Sequence, residues 1–168
     1  PRRPLVLMQP KSLLRLPAAA SRLTDLSEGA WQAVVDPTVG DPQRVRRVVL
    51  CTAKMWYDLT AQPLPDSVAV VRVDQLYPFP GQAVAEVLAR YAGATEVVWA
   101  QEEPQNMGAW TFVAPRLRAV VGTTTPIGYV GRPERASPAE GYEAAHKAEQ
   151  ARIVAEALAV TEPASVGV

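Results

Sequence analysis

Short apolar runs alternate along the chain with longer segments in which apolar residues recur at helical spacing. Six runs rich in apolar and β-branched residues predict strands at 5–8, 31–35, 45–52, 68–73, 95–100 and 127–130. Helices are predicted at 53–62, 81–91, 112–121 and 137–158, with one helical turn at 11–15. The last helix is expected to begin at a capping box, Ser137-Pro138-Ala139-Glu140.

Strands and helices alternate from residue 45 onward, which indicates parallel βαβ units with right-handed crossovers. The strands are almost wholly apolar, as expected when helices cover both faces of a sheet. The sequence therefore predicts one doubly wound α/β domain at 1–160, with a mostly parallel, mixed sheet. Residues 161–168 are expected to be a flexible tail. Because the chain opens on Pro1 and not on methionine, we expect it to be a fragment of a longer polypeptide.

Composition narrows the classes of function. Lysine and arginine balance aspartate and glutamate at 17 each, so no basic surface for nucleic acid is expected. No apolar run approaches the roughly 20 residues needed to span a bilayer. Cys51 is the only cysteine, which excludes an internal disulfide and is typical of a reducing cytoplasm.

Several catalytic arrangements are excluded by their residue requirements. With one histidine, His146, and one cysteine, a zinc cluster of the usual ligand spacing cannot form. Neither a phosphate-binding glycine loop nor a nucleophile elbow occurs. His146 falls inside a predicted helix and Cys51 ends a predicted strand, so we interpret both as structural residues. No catalytic, cofactor-binding or metal-binding residue is predicted.

The segment 101–110, "QEEPQNMGAW", lies between a predicted strand and a predicted helix. In open α/β sheets, ligands usually bind at such strand ends. Glu102 or Glu103 could act as a general acid or base. We favour a structural role, in which the carboxylates complement the helix dipole and Asn106 or Gln105 bonds its first N–H groups. Gly108 would allow close approach of the backbone.

Five segments together resemble a known family. They are "LMQPKSLLRLPAA" (7–19), "LCTAKMWYDL" (50–59), "VAVVRVDQLYPFPGQ" (68–82), "VVWAQEEPQNMGAWTFVAPRLR" (97–118) and "YVGRPERASPAEGYEAAHKAEQ" (129–150). In this order they resemble the C-terminal domain of the thiamine diphosphate-dependent first component of 2-oxoglutarate dehydrogenase complexes. The resemblance extends from about Pro4 to Leu158.

The resemblance implies a transketolase C-terminal-like fold within a homodimer, and the single cysteine has already indicated a cytoplasmic location. It implies a citric acid cycle enzyme that decarboxylates 2-oxoglutarate on thiamine diphosphate and magnesium, then passes the succinyl group to lipoyl groups of a dihydrolipoyl succinyltransferase core. Earlier domains of the family hold the cofactor, and Gly-Asp-Gly of its signature is absent here. We therefore expect this domain, when isolated, to be inactive. Glu102, Glu103, Asn106, Gly108 and Trp110 are expected to form a rigid corner contacting the same subunit or its dimer partner.

The resemblance also bears on regulation. Some members bind an activating acetyl-CoA or a nucleotide where this domain meets the preceding one, using basic residues after the "PFP" turn. Here the turn continues with Gly81-Gln82-Ala83, so those cations are missing. Gln75 is left as a weak candidate for an allosteric ligand.

Two other functions remain as alternatives. The first is a stand-alone or regulatory module that binds an anionic small molecule at the strand ends, with Lys11, Arg15, Lys54 and Arg132 as its cations. The second is a free-standing enzyme that uses Glu102 or Glu103, for which partner residues are missing.

Overall fold

The computed structural model describes residues 2–37 and 40–160. The chain divides into two compact units, the first ending at Trp31 and the second beginning at Gln32. The predicted flexible tail, 161–168, lies outside the described residues.

The first unit contains short helical segments. Two 3-10 helices, Lys11–Arg15 and Pro17–Ala19, precede the helix α1 (Leu23–Ser27). The carboxylate of Asp25 accepts the backbone N–H of Arg22 at 3.0 Å and so satisfies one group at the start of α1. The predicted helical turn at 11–15 is confirmed, in its tighter 3-10 form.

The predicted strand at 5–8 is wrong. The segment carries no strand pairing, and its four apolar side chains are 72–93% exposed. Strand-forming residues become a strand only when another strand satisfies their backbone groups. None of the described residues of this unit supplies such a neighbour.

The second unit contains a five-stranded sheet. Its strands are β1 (Val34–Val35), β2 (Arg47–Cys51), β3 (Val68–Val73), β4 (Glu96–Pro104) and β5 (Ile127–Arg132). The spatial order is β1-β3-β2-β4-β5, with β1 antiparallel and the others parallel. The predicted fold class, an α/β domain with a mostly parallel mixed sheet, is confirmed.

Helices cover both faces of this sheet. They are α2 (Lys54–Thr60), α3 (Gly81–Arg90), α4 (Trp110–Val121) and α5 (Glu143–Leu158). Buried residues of α3 and α4 join Val48 and Leu50 in one core, while α2 and α5 join Val49 and Cys51 in the other. Because neighbouring residues of a strand point to opposite faces, a strand buried on both faces must be continuously apolar.

The chain changes direction between β2 and β4. The connection through α2 leads from β2 to β3 on one side, and the connection through α3 then returns past β2 to β4. The helices that follow β2 and β4 lie on opposite faces. A crevice therefore opens between the carboxyl ends of these two strands, where doubly wound proteins usually bind ligands. The candidate site lies here.

Three of the predicted elements have a boundary that differs from the structure by more than two residues. The strand expected at 31–35 is reduced to β1, and β4 continues beyond Ala100 through an irregular register to pair Pro104 with Arg132. The capping box at Ser137 is wrong, because α5 begins six residues later, at Glu143. Glu140 cannot return to Ser137, since its carboxylate accepts hydrogen bonds from two arginines instead.

Within 2–37 and 40–160, no helix combines the length and the apolar composition needed to cross a bilayer.

Candidate functional site

Gln101 is the central residue of the segment 101–110, which we call the corner. The residue is 2% exposed. Its side-chain oxygen accepts hydrogen bonds from the indole of Trp99 (3.0 Å) and from the backbone N–H groups of Ala109 (3.2 Å) and Trp110 (3.0 Å). Ala109 is the N-cap residue of α4 and Trp110 its first residue, so Gln101 caps that helix from the preceding strand.

The side-chain nitrogen of Gln101 binds the other side of the corner. It donates to the carbonyl oxygens of Met107 (2.8 Å), Pro104 (3.1 Å) and Glu103 (3.3 Å). One buried amide thus satisfies both donors and acceptors of the turn between β4 and α4. The capping role that was expected of Asn106 or Gln105 belongs to Gln101.

Asn106 has a different function in the fold. Its side chain donates to the carbonyl of Arg135 (3.1 Å) and accepts that residue's N–H (3.2 Å). The amide therefore joins the corner to the loop after β5. The ring of Trp110 packs against the ring of Tyr129 in β5, with 5.3 Å between the two ring centroids.

Glu102 bridges the crevice between β2 and β4. Its carboxylate accepts a hydrogen bond from Lys54 at 2.7 Å, and Lys54 also pairs with Asp58. Burial alone would lower the pKa of Lys54, but its hydrogen bonds to Asp58 and Glu102 raise that pKa above the ordinary value. Lys54 is therefore held as a cation. The negative charge of Glu102 pairs with this cation and does not serve the dipole of α4.

Arg132 holds the end of β5. Its side chain is 1% exposed and donates to both carboxylate oxygens of Glu140 at 2.8–3.0 Å. It also donates to the backbone carbonyl of Glu102 at 2.6 Å. Arg135 pairs with Glu140 at 2.7 Å, and the His146 ring nitrogen lies 3.2 Å from the Arg132 guanidinium. We call Arg132, Glu140 and Arg135 the arginine clamp.

The clamp makes the fold sensitive to acid. Hydrogen bonding from Arg132 lowers the pKa of Glu140 from 4.5 to about 2. A lowered pKa in the folded state means that this stability is fully present above pH 4.5 and is lost as the pH falls towards 2.

We expect the Glu140→Gln variant to be less stable than the native chain at pH 7 but to lose less stability on acidification. The free energy of unfolding should be measured by urea titration between pH 5 and 2. Because one proton-binding site is removed, the slopes should differ by up to about 1.4 kcal/mol per pH unit. The exposed Glu86→Gln change serves as a control and should leave the native slope. If the free energy of unfolding fell with pH at the same slope in Glu140→Gln and in the native chain, the lowered pKa of Glu140 would not contribute to stability.

Gly108 fits its place in the corner because it lacks a side chain. Its φ is +65°, and a Cβ atom there would lie 2.9 Å from the Gln101 side-chain nitrogen and 3.0 Å from Glu103. Both the left-handed backbone and the close approach expected from the sequence are present.

Replacing Gly108 by alanine should lower the free energy of unfolding by about 2–4 kcal/mol, because backbone strain and crowding of Gln101 add together. Chemical denaturation measures this loss. Gly141→Ala is the matched control, since a Cβ atom at Gly141 meets nothing within 4 Å. Equal stability of the two variants would show that the corner can relax around a side chain.

The remaining candidates from the sequence are structural or exposed. Burial raises the pKa of the Cys51 thiol, which makes the thiolate inaccessible near neutral pH, and its sulfur lies 3.8 Å from a backbone carbonyl. Gln75 donates to the carbonyl of Pro78 at 3.0 Å. Lys11 and Arg15 lie exposed in the first unit. Among the residues that the structure describes, no group of three or more histidine, cysteine, aspartate or glutamate side chains could hold a metal ion.

A cavity of about 410 Å³ opens at the strand ends beside the corner. Its walls include Leu76 and Tyr77 after β3, Phe112 of α4, and Glu103. The Glu103 side chain is exposed and makes no ion pair with any residue in 2–37 or 40–160. This is the one corner carboxylate, within those ranges, that the domain does not use internally.

The mostly parallel mixed sheet with helices on both faces is consistent with a transketolase C-terminal-like fold. The sequence profile of the family described as 2-oxoglutarate dehydrogenase C-terminal matches residues 20–158. The chain belongs to this family.

Two curated relatives support this family assignment. The chain is 46% identical over 163 residues to a 2-oxoglutarate dehydrogenase E1 component of Exiguobacterium sp., with 93% of this chain and 17% of the relative covered. It is 48% identical over 167 residues to the E1 component of Bacillus cereus strain B4264, covering 94% of this chain and 18% of the relative. The chain thus spans less than a fifth of the length of the curated relatives it matches.

Proposed function

We propose that this chain is the C-terminal domain of a thiamine diphosphate-dependent 2-oxoglutarate dehydrogenase and supports its dimer and active site without holding the cofactor. In this proposal the whole enzyme decarboxylates 2-oxoglutarate and transfers the succinyl group to lipoyl groups. Its partners are the other domains of the subunit, a second subunit and a dihydrolipoyl succinyltransferase core. A cytoplasmic location completes the proposal, because the unpaired thiol of Cys51 is typical of a reducing compartment.

The observation that carries the proposal is the internal use of the corner's polar groups. Gln101 bonds the turn on both sides, Glu102 pairs with Lys54, and Arg132 is bound by Glu140. Groups held in this way stabilise a rigid surface and are poorly placed to exchange protons with a substrate. The proposal assigns the cofactor and its chemical steps to the other domains of the enzyme.

The alternative of a module for anionic small molecules is not favoured. Two of its four expected cations, Lys54 and Arg132, are brought together around Glu102 but already bind carboxylates. An anion at this place would have to displace those pairs and would meet the Glu102 charge.

The proposal is tested with Glu102→Gln in the full-length enzyme, with Glu103→Gln as its companion. We expect turnover per assembled dimer to stay within about twofold of the native value, because neither carboxylate transfers a proton in the reaction. Loss of the Lys54 partner should cost Glu102→Gln about 0–1 kcal/mol of stability, since the pair is partly exposed. A hundredfold fall in turnover at unchanged stability and dimer content would instead assign a proton-transfer role.

A further inference from the structure

The cavity of about 410 Å³ beside the corner lies at the strand ends, where doubly wound proteins usually bind ligands. Leu76, Tyr77 and Phe112 supply apolar surface to its walls, and Glu103 is the one charged side chain among the described residues that line it. Small-molecule sites have this composition, with apolar walls and a few polar groups that orient the ligand. Their volumes are roughly 300–1,000 Å³, so the cavity also has a suitable size.

Three side chains of this lining carry groups that the described part of the chain does not use. The hydroxyl of Thr52, directly after β2, has no hydrogen-bonding partner among the described residues. The carboxylate of Glu103 likewise accepts no hydrogen bond there, and one of its oxygens lies 3.0 Å from the position of a Cβ atom added at Gly108. Tyr77 is 83% exposed, and its ring packs against no other described ring or cation. A hydroxyl, a carboxylate and an aromatic ring are thus open to a ligand around one cavity.

The backbone beside Thr52 is strained. Ala53 has φ +49° and ψ −127°, a conformation that residues with a side chain rarely adopt. Such conformations persist only where the surrounding structure holds them, and they cluster at ligand-binding sites. The strained residue and the unused hydroxyl are neighbours at the carboxyl end of β2, so a second, independent feature indicates a binding site at this crevice.

We propose that this cavity binds a small organic cation in which a planar guanidinium or amidinium group is joined to an apolar body. The Glu103 carboxylate accepts two parallel hydrogen bonds from such a group, and the Thr52 hydroxyl accepts a third. The ring of Tyr77 stacks on the face of the cation. Arg116 already lies over the ring of Phe112, with its guanidinium carbon 3.5 Å from the ring centroid, so Phe112 contacts only the apolar body. This site goes beyond the proposed function, which gives the domain a supporting role and no ligand.

Titration of the full-length enzyme with benzamidine, followed by ligand-observed NMR, tests the site. Benzamidine joins an amidinium group to a phenyl ring, and its dissociation constant should be about 1 mM, as expected for a ligand of this size. Benzamide has nearly the same shape without the charge and should bind at least about tenfold more weakly, and the anion benzoate more weakly still. Equal affinities for benzamidine and benzamide, or no binding of benzamidine, would overturn the proposal.

Substitutions locate the bound cation. Glu103→Gln should weaken benzamidine binding about tenfold or more and abolish the preference over benzamide, and Thr52→Val should weaken it about threefold. Glu86→Gln removes an exposed carboxylate of α3 and is the matched control, which should leave the affinity unchanged. Native affinity in Glu103→Gln would place the bound cation elsewhere and overturn the proposal. Binding is measured without turnover, so this result is independent of whether the whole enzyme acts on 2-oxoglutarate.

Discussion

Replacing Gln101 by leucine is expected to lower the free energy of unfolding by about 3–5 kcal/mol. Leucine retains the approximate shape of the side chain but removes every hydrogen bond that the amide makes. The buried indole N–H of Trp99 and the half-buried N–H groups of Ala109 and Trp110 then lose their acceptor. Urea unfolding of the native and variant chains measures the loss.

Two further variants isolate the hydrogen bonds from packing. Gln82→Leu makes the same change at an exposed position of α3, where the amide donates to Glu86 at 2.9 Å, and should change stability by less than about 0.5 kcal/mol. Gln101→Glu retains the acceptor but directs a carboxylate at three carbonyl oxygens, so it should be destabilising at pH 7 and recover as the acid is protonated. Full stability of Gln101→Leu or Gln101→Glu at pH 7 would refute the role given to Gln101.

The second large effect is expected at Arg132. Arg132→Met should lower the free energy of unfolding by about 3–5 kcal/mol, because removing one partner of a buried ion pair leaves the other charge only partly compensated. Glu140 would retain only Arg135 from the clamp, and the carbonyl of Glu102 would lose its donor. Thermal and urea unfolding should both show the loss.

A double variant separates the interaction between Arg132 and Glu140 from the contacts that each residue makes with its surroundings. Arg132→Met combined with Glu140→Leu should lose less stability than the sum of the two single changes, since both charges are then removed together. Arg44→Met provides the surface control, because Arg44 and Asp66 form a pair at 2.7 Å with both side chains more than 60% exposed. That change should cost about 0–1 kcal/mol. Strict additivity of the single changes would show that Arg132 and Glu140 do not act as a pair.

The sheet could be predicted because its signal is local. Val48 and Val49 are both apolar although they point to opposite faces, and this pattern by itself indicates a central strand. The alternation of strands and helices indicates parallel βαβ units with right-handed crossovers, but it does not predict the order in which the strands lie in the sheet. Residues 5–8 are apolar too, but the strand predicted there was wrong, because composition does not say whether another strand lies alongside to satisfy the backbone groups.

The structure brings the segment 101–110 to the junction of β4 and α4, and the sequence analysis missed its central residue. The adjacent carboxylates and the amides Gln105 and Asn106 were the expected capping groups, since caps usually lie next to the helix. Gln101 lies eight residues before Ala109, across a turn whose path sequence spacing does not reveal. A signal was nevertheless present: Val97, Trp99 and Gln101 share one face of β4, so the strand period alone places this amide in the core.

The capping box at Ser137 failed for a related reason. Its four residues have the right types and spacing, but Glu140 forms stronger charge-assisted bonds with Arg132 and Arg135. A local motif was therefore overridden by partners that sequence distance does not identify.

The clamp and α5 have a practical consequence for shortened versions of this protein. Ile153, Ala157 and Leu158 fill one face of the sheet, and Gln150 bonds Asp58 at 2.8 Å beside the crevice. A chain ending before α5 would expose that face to water and would release Arg132 from Glu140 if the cut fell before residue 140. The final helix is thus as much a part of the folding unit as the central strands. A reporter or affinity tag therefore belongs beyond Leu158, and a deletion that stops at β5 would produce an aggregating protein.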